Sequence, residues 1–134
     1  IDYAITYFYN VYGKNEISEG KYATLIALFT RKYKNNEPLT IVSPGTQERN
    51  FTYIDDIVNG LILVGKNGKG DGYGIGSRDT YTILEIAEMF KSNLEMLPER
   101  NGNRMTAELV TKKTEALGWK AKHSIKEYIT QLIS

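Results

Sequence analysis

The stretch Leu39-Thr40-Ile41-Val42-Ser43-Pro44-Gly45-Thr46 joins a strand-forming half to a turn-forming half, and it decides the type of fold. Its first four residues are apolar or β-branched and predict a short strand, and its last four are typical of a turn. Downstream, Asp55 and Asp56 stand where acidic side chains favour a helix start, and we expect an apolar helix from there to about Val64. Strand, turn and helix in this order indicate an α/β protein.

The flanking sequence extends this alternation. Aromatic and β-branched residues at 3–9 predict a strand, whose partner strands we expect to precede residue 1. A helical stripe of apolar side chains covers residues 21–34. Further predicted elements are a brief strand at 73–75 and helices at 82–93, at 107–117 with Gly118 as C-cap, and after Ser124. The 134 residues are therefore expected to form one compact α/β unit with a few short strands and about five helices.

The composition argues against several classes of partner. A formal net charge of +1 gives no electrostatic reason to expect nucleic acid or a membrane surface. The apolar run Leu61-Ile62-Leu63-Val64 is far too short to span a bilayer. The sequence has no cysteine and a single histidine, His123, so we expect no disulfide and no metal site. The absence of cysteine also fits a cytoplasmic protein.

The N-terminal residues Ile1-Asp2-Tyr3-Ala4-Ile5 include neither a basic leader nor an initiator methionine. We therefore expect the chain to start in mid-sequence, as a fragment of a longer protein would.

Some stretches resemble nucleotide-binding motifs but lack residues that those motifs require. Gly60-Leu-Ile-Leu-Val-Gly65-Lys66 nearly matches the phosphate loop GxxxxGK[ST], but Asn67 replaces the hydroxyl residue, and the apolar interior predicts the end of a buried helix. The glycines from 65 to 76 never take the G-x-G-x-x-G spacing of a dinucleotide loop. Adjacent Asp55 and Asp56 point apart, so capping the helix is their favoured role. No catalytic residue is predicted.

Polar residues at breaks beside apolar elements are the candidates for a binding site. These residues are Asn10 after the first strand, Arg49 beyond the turn, and Arg100 and Arg104 in a glycine-containing loop. Two guanidinium groups converging from different loops suit a diphosphate, because each can make a pair of charge-assisted hydrogen bonds. The alternative is that they are solvated surface arginines, and spacing alone favours that alternative.

The order of segments along the chain carries a family resemblance. The relevant segments are YFYNVYG at 7–13, GKYATLI at 20–26, PLTI at 38–41, GTQERNFTYIDD at 45–56, GYGIGS at 72–77, RNGN at 100–103 and LGW at 117–119. In order and spacing they resemble the R-Y-F-N-V-Y-G, G-x-Y-A-x-V-I, P-L-x-I, G-x-Q-x-R-D-F-x-Y-V-x-D, Y-N-I-G, R-P-G-D and L-G-W segments of the extended short-chain dehydrogenase/reductases that act on nucleotide sugars. The resemblance covers essentially the whole chain.

The resemblance implies a role for each matching residue. Arg49 and Arg100 would clasp the diphosphate of a sugar nucleotide, and Asn10 would bind a phosphate or sugar oxygen. The remaining implied contacts are those of Thr24 and Leu25 with the substrate channel, of Thr40, Ile41 and Val42 with the nucleobase, of Asn103 with the ribose, and of Tyr9 with the nicotinamide end of NAD.

The sequence also departs from the family pattern. Tyr7 stands in place of an arginine, Asn50 and Asn103 in place of aspartates, and Ser43-Pro44 in place of Gly-Asp. These changes bear on nucleotide preference more than on fold. The family's glycine fingerprint and its catalytic Tyr-x-x-x-Lys are absent, since none of the ten tyrosines has a lysine four residues later. Without the groups that move the proton and bind NAD, the chain is expected to be inactive alone.

The resemblance implies that residues 1–134 are the C-terminal substrate-binding lobe of such an enzyme, lacking most of the Rossmann sheet. Residues 1–13 would carry a strand of the missing Rossmann domain, which would bind most of the NAD. UDP-glucose 4-epimerases are the most similar group, so we expect a UDP-sugar ligand and a cytoplasmic, homodimeric parent enzyme. The alternatives are the substrate lobe of a dTDP- or GDP-sugar 4,6-dehydratase and a non-catalytic binding module that kept the lobe.

Overall fold

The computed structural model describes residues 1–102 and 108–134, and these residues form the expected α/β fold. The elements are β1 (Ala4–Phe8), β2 (Val11–Tyr12), α1 (Leu25–Lys34), β3 (Leu39–Val42), β4 (Glu48–Asn50), β5 (Thr52–Tyr53), α2 (Ile54–Asn67), β6 (Gly70–Ile75), β7 (Thr80–Thr82), α3 (Ile83–Met89), β8 (Leu94–Leu97), α4 (Lys112–Ala116) and α5 (Ile125–Ile133). The chain divides into two compact units. The first comprises Ile1–Val11, Asn50–Thr80 and Glu108–Ile125, and the second comprises Tyr12–Arg49, Tyr81–Ala107 and Lys126–Ser134.

In the first unit, β1 pairs in parallel with β6. The register joins Thr6 to Tyr73 and Phe8 to Ile75. The sequence predicted the strand at 3–9 but placed its partners before residue 1, whereas the structure shows one partner within the chain. That partner is distant in sequence and was predicted only as the brief strand 73–75, so the pairing could not be read from local pattern.

The core of the first unit forms where α2 packs on β6. Ile57, Ile75 and Trp119 make a buried cluster, and Gly60 of α2 faces two of them. A β-carbon at position 60 would lie 2.8 Å from Ile75 Cγ2 and 3.0 Å from Trp119 Nε1. Gly60 therefore permits the close approach of helix and strand, and the stretch from Gly60 to Lys66 is helix, as predicted, rather than a phosphate loop.

The buried carboxylate of Asp56 ties the segment after α4 to the first turn of α2. Its Oδ2 accepts the backbone N–H groups of Lys122 (3.1 Å) and His123 (3.0 Å), and its Oδ1 lies 3.0 Å from His123 Nδ1. The Trp119 indole donates to the Asp56 carbonyl at 2.9 Å. Asp56 is 1% exposed, and these hydrogen bonds replace the water it gives up on burial. Asp55 and Asp56 were both predicted to cap the helix. The carboxylate of Asp56 also binds the backbone of residues 122 and 123, which are distant in sequence.

In the second unit, an aromatic contact joins α1 to the end of α3. Phe29 of α1 and Phe90, the C-cap of α3, meet edge to face with ring centroids 5.9 Å apart. Ile41 and Ile86 are fully buried with them. The edge-to-face geometry aligns the positive ring edge with the negative ring face, which stabilises the pair beyond the area it buries.

The strand β3 pairs in parallel with β8, from Leu39 with Leu94 to Val42 with Leu97. The sequence predicted β3 with the observed bounds but missed β8, because the helix was expected to continue to Asn93. Helix α3 instead ends at Met89, and Lys91 takes a positive φ of 52° that no helix continues. The four-residue strand that follows gains its hydrogen bonds from β3, a partner that local sequence does not reveal.

The predicted helix at 107–117 is also shorter in the structure. Residues 108–111 are not helical, and α4 spans only Lys112–Ala116. The helix ends one residue earlier than predicted, with Leu117 rather than Gly118 as its C-cap. Gly118 follows with a φ of +97°, a conformation that glycine adopts without a side-chain penalty. Residue 107, the expected start, lies outside the described residues. Helix α5 begins directly after Ser124, as expected.

A pair of glycine substitutions in α2 tests the packing of the first unit. Gly60→Ala is expected to lower the thermal unfolding midpoint by several degrees, because the new methyl group would meet Ile75 and Trp119. Gly65→Ala is the matched control. Nothing lies within 4 Å of a β-carbon there, so alanine should raise helix stability by up to about 1 kcal/mol. Calorimetry of both variants checks the expectation, and stabilisation by Gly60→Ala would contradict the described packing.

Candidate functional site

Two loops of the second unit leave the same edge of a parallel strand pair. The segment 43–47 follows β3 and the segment 98–102 follows β8, and the last residues of these strands, Val42 and Leu97, are paired. The backbone N–H of Ser43 donates to the Leu97 carbonyl at 2.9 Å, which holds the start of one loop beside the end of the other strand. The carboxyl ends of parallel strands are the usual place for a ligand site in α/β proteins.

A small cleft lies between these loops, with a volume of about 180 Å³. One guanidinium, one carboxylate and several neutral polar groups face it. Its lining residues are Ser43, Pro44, Gln47, Glu99, Arg100, Asn101 and Gly102. The structure therefore brings the predicted Arg100 next to the turn that follows the predicted base-binding strand.

The first turn of α3 anchors the Ser43 side of the cleft. The N–H of Leu84 donates to the Gly45 carbonyl at 2.9 Å, and the N–H of Ile83 donates to the Gln47 carbonyl at 3.1 Å. Both donors belong to the helix start, where N–H groups have no partner within the helix. Thr82 and Glu85 complete the predicted capping box through reciprocal side-chain bonds of 3.1 and 2.7 Å.

Gln47 is a site residue to which sequence reasoning gave no role. The residue lines the cleft although it is only 7% exposed. The amide Nε2 donates to the Val42 carbonyl at 3.4 Å, whereas the amide Oε1 is buried and has no hydrogen-bond partner among the described residues. The sequence showed only that Gln47 is a polar residue two positions before Arg49 in a motif that matches the family. Its burial could not be predicted from the sequence.

The three residues predicted to hold a nucleobase alternate along β3. Thr40 and Val42 are half-buried, while Ile41 is 0% exposed and belongs to the core. The alternation follows from the two-residue period of a strand. A base stacked along this strand would therefore have the side chains of Thr40 and Val42 within reach, and Ile41 only through its backbone.

The two arginines predicted to clasp a diphosphate occupy different settings. Arg100 is exposed and faces the cleft. Arg49 lies on β4, half-buried, and its Nη1 donates to the Glu48 carbonyl at 2.7 Å. Asn103, the predicted ribose contact, and Arg104 lie outside the described residues.

Thr24 and Leu25, predicted to line a substrate channel, form the start of α1. Thr24 is the N-cap, and its hydroxyl donates to Glu16 Oε1 at 2.7 Å. The N–H of Gly13 donates to the second oxygen of the same carboxylate at 3.1 Å. Burial raises the pKa of Glu16 above its ordinary value, because the charged form loses water, and the two hydrogen bonds offset part of this rise.

Tyr9 and Asn10 belong to the first unit and follow β1. The Tyr9 ring lies against two glycines of the β6 segment, since a β-carbon at Gly76 would be 2.8 Å from Tyr9 Cδ2 and one at Gly74 would be 3.2 Å from Tyr9 Cε2. The Tyr9 hydroxyl accepts the N–H of Val110 at 3.3 Å. Asn10 is exposed with a φ of 42°, a conformation that asparagine tolerates better than most residues.

The first unit has a cleft of its own, about 430 Å³ in volume, beside Trp119. Two of its lining side chains already face carboxylates. Arg78 makes a two-bond pair with Glu115 at 2.8 and 2.7 Å, and His123 meets Asp56. A ligand with negative charge would have to displace these carboxylates, which disfavours the larger cleft as an anion site.

Two further findings concern metals and membranes. In residues 1–102 and 108–134, no three histidine, cysteine, aspartate or glutamate side chains are grouped so as to hold a metal ion. Among the helices that the structure describes, none combines the length and the apolar character needed to cross a bilayer.

Comparison with known proteins places these features in a family context. The profile of the NAD-dependent epimerase/dehydratase family matches residues 1–76. A Methanocaldococcus jannaschii protein with a provisional UDP-glucose 4-epimerase assignment is 30% identical over 140 aligned positions, and UDP-glucuronic acid decarboxylase 5 of Arabidopsis thaliana is 30% identical over 135. The alignments cover 100% and 95% of this chain, but only 45% and 39% of those proteins.

Among solved structures, the UDP-glucose 4-epimerase of Thermotoga maritima, determined with UDP-glucose, superimposes with a TM-score of 0.91 at 25% identity. The superposition covers 99% of this chain and 45% of that protein. The chain thus spans less than half the length of the relatives it matches. These matches confirm the resemblance that the motifs indicated.

The raised pKa of Glu16 predicts a pH-dependent substitution effect. Because the native state binds the proton more readily than the unfolded chain does, the Glu16 contribution to stability falls as pH rises through the raised pKa. Glu16→Gln should therefore be more stable than wild type at about pH 7, with the gain shrinking toward about pH 4. Urea unfolding at both pH values measures this, with the exposed Glu37→Gln as control. A gain that grows on acidification would contradict the argument.

Proposed function

The chain belongs to the NAD-dependent epimerase/dehydratase family, and we propose that it is the lobe that holds the nucleoside diphosphate of a sugar substrate. For the whole protein we propose UDP-sugar 4-epimerase activity. The observation that carries the proposal is the cleft at the ends of β3 and β8, where Arg100 faces the turn after β3.

The chemistry of the cleft suits a nucleotide. A guanidinium can bind phosphate oxygens through two parallel hydrogen bonds, and Arg100 is exposed and ready to do so. The neighbouring strand offers the half-buried side chains of Thr40 and Val42 to a flat base. Arg49, on β4, is the second arginine of the proposed grip, and Asn10 and Asn103 remain proposed contacts to the sugar nucleotide.

In 4-epimerisation, this lobe would have to keep the diphosphate of the substrate firmly bound. The sugar ring must turn over between removal and return of hydride at C4, while the nucleotide stays bound. Binding energy from the non-reacting part of a substrate can hold the reacting part in place. The lobe would therefore contribute positioning and charge.

The dinucleotide chemistry would fall to another part of the enzyme. The glycines of this chain do not have the G-x-G-x-x-G spacing, and Tyr9, its proposed contact to NAD, is packed on Gly74 and Gly76. These two features support the proposal that another part of the parent protein holds most of the NAD. A catalytic Tyr-x-x-x-Lys elsewhere in the whole protein would support an enzyme, and its absence would support a non-catalytic binding module.

The surface of β1 supports a Rossmann sheet that extends beyond this chain. Ile5, Tyr7 and Phe8 are between 41% and 49% exposed although β1 is a paired strand. Apolar side chains on a parallel sheet are ordinarily covered on both faces. We propose that the rest of the parent protein covers them.

The second candidate for the whole protein is decarboxylation of a UDP-sugar acid, because a decarboxylase relative is as similar in sequence as the epimerase relative. A 4,6-dehydratase is a further member of the same class. All three reactions would use this lobe in the same way, to hold a nucleoside diphosphate. The choice of epimerase rests on the close superposition with an epimerase fold.

Titration calorimetry of the 134-residue chain with UDP and UMP tests the proposed grip. Wild type should bind UDP more tightly than UMP, because the second phosphate gains the arginine contacts. Arg100→Ala is expected to weaken UDP binding by about tenfold, or ~1.4 kcal/mol of binding free energy. The same variant should also reduce the difference in affinity between UDP and UMP. Arg49→Ala should act in the same direction.

Arg78→Ala is the matched control, because that arginine pairs with Glu115 in the first unit and should leave UDP binding unchanged. If wild type does not bind UDP at millimolar concentration, the proposal is refuted. Equal affinity for UDP and UMP would refute the proposed arginine contacts with the diphosphate, because the second phosphate would then contribute nothing to binding.

A further inference from the structure

We propose that Asn101 is a site of spontaneous deamidation, and that the carboxylate formed there weakens binding of a nucleoside diphosphate in the cleft after β3 and β8. The modification itself follows from the chain alone, whereas its effect on binding rests on the proposed function. The starting observation is the pair Asn101-Gly102, which lies in a turn beside Arg100 and lines this cleft.

Deamidation at an Asn-Gly pair is an intramolecular reaction that needs only water. The backbone nitrogen of Gly102 attacks Cγ of the Asn101 side chain and forms a new N–C bond, and the side-chain nitrogen leaves as ammonia with the proton of the peptide N–H. Water then opens the cyclic imide at either carbonyl and gives aspartate or isoaspartate. Nothing is oxidised or reduced. Glycine favours the attack because it has no side chain to obstruct it.

The described structure does not obstruct the attack at Asn101. Both Asn101 and Gly102 are exposed and lie outside the helices and strands. Gly102 has a φ of +86°, and no heavy atom lies within 4 Å of the position that a β-carbon would take there. Its N–H donates to no other residue in the described part of the chain. No hydrogen bond between described residues therefore has to break before this nitrogen reacts.

Two other Asn-Gly pairs of the sequence belong to α2 and its end, where the glycine nitrogens are held. Asn59-Gly60 lies in the helix interior, where backbone N–H groups donate along the helix. At Asn67-Gly68, the glycine N–H donates to the Val64 carbonyl at 2.7 Å. The helix must open locally before either pair can react. The fold therefore favours Asn101 over two pairs of the same local sequence.

Deamidation would change the charge balance of the cleft. One guanidinium and one carboxylate line it, those of Arg100 and Glu99. A second carboxylate at position 101 would set two negative charges against one positive charge. That carboxylate would repel a diphosphate and would compete with it for the neighbouring Arg100. Because these side chains are exposed, salt should screen the repulsion, so the effect on binding should be largest at low ionic strength.

The first experiment measures deamidation at each asparagine. The 134-residue chain is incubated in mildly alkaline buffer, and peptide mapping by mass spectrometry with fragmentation assigns each modified residue. In the folded chain, Asn101 should deamidate at least about tenfold faster than Asn59 and Asn67, because those two require helix opening. In guanidinium chloride the three rates should become similar, since the unfolded pairs share the Asn-Gly sequence. Equal rates in the folded chain would refute Asn101 as a selected site.

The second experiment measures UDP binding by titration calorimetry at low salt. Wild type deamidated at Asn101 and purified by ion exchange should bind UDP about threefold to tenfold more weakly than fresh wild type, and so should Asn101→Asp. Asn67→Asp introduces the same charge in the first unit and is the matched control, which should bind UDP like wild type. Asn101→Gln should keep its own initial affinity during incubation, because glutamine would have to close a larger ring.

The outcomes separate this inference from the proposed function. If fresh wild type binds UDP, but the deamidated chain and Asn101→Asp bind it equally well, the effect on the cleft is refuted while the nucleotide lobe stands. If fresh wild type does not bind UDP at all, the proposed function fails, and the effect of deamidation on nucleotide binding fails with it. The peptide map still decides whether Asn101 is the selected site, because it needs neither UDP nor a variant.

Discussion

The attachment of the segment 43–47 to the first turn of α3 is the constraint on which the candidate site depends. The carbonyls of Gly45 and Gln47 accept the N–H groups of Leu84 and Ile83, so a loop and a helix start satisfy each other. Gly45 makes this possible, because its φ is +77° and a β-carbon there would lie 2.9 Å from Ile41 Cγ2. Without this attachment, neither the turn nor the amide of Gln47 would have a fixed position.

The parallel pairing of β3 and β8 supplies the opposite wall of the same cleft. Leu94–Leu97 is a four-residue strand far beyond β3 in sequence, and its pairing brings the Arg100 loop beside Ser43. The interaction is one of tertiary structure, since neither strand is long enough to be stable by itself. The site is thus assembled from two loops, each held by a different element: one by α3 and the other by the strand pair.

Much of the fold could be predicted because its signals are local. The strand Leu39–Val42 and the capping box of Thr82 and Glu85 were both recognised from a few adjacent residues. The strand β8 was not, because its hydrogen bonds come from β3 and its sequence continues a helical pattern that ends only where Lys91 turns to positive φ. The pairing of β1 with β6 and the hydrogen bonds from residues 122 and 123 to Asp56 were not predicted either, because both are contacts between residues distant in sequence.

The site residues divide in a similar way, according to the physical property that reveals them. An arginine in a loop attracts attention by charge, and Arg100 was identified from sequence and lies in the cleft. A neutral amide such as Gln47 has no such signature, because glutamine is common on surfaces and becomes informative only when it is buried with an acceptor left unpaired. A charged loop residue can therefore be recognised from the sequence, whereas an unpaired buried acceptor can be recognised only in the folded chain.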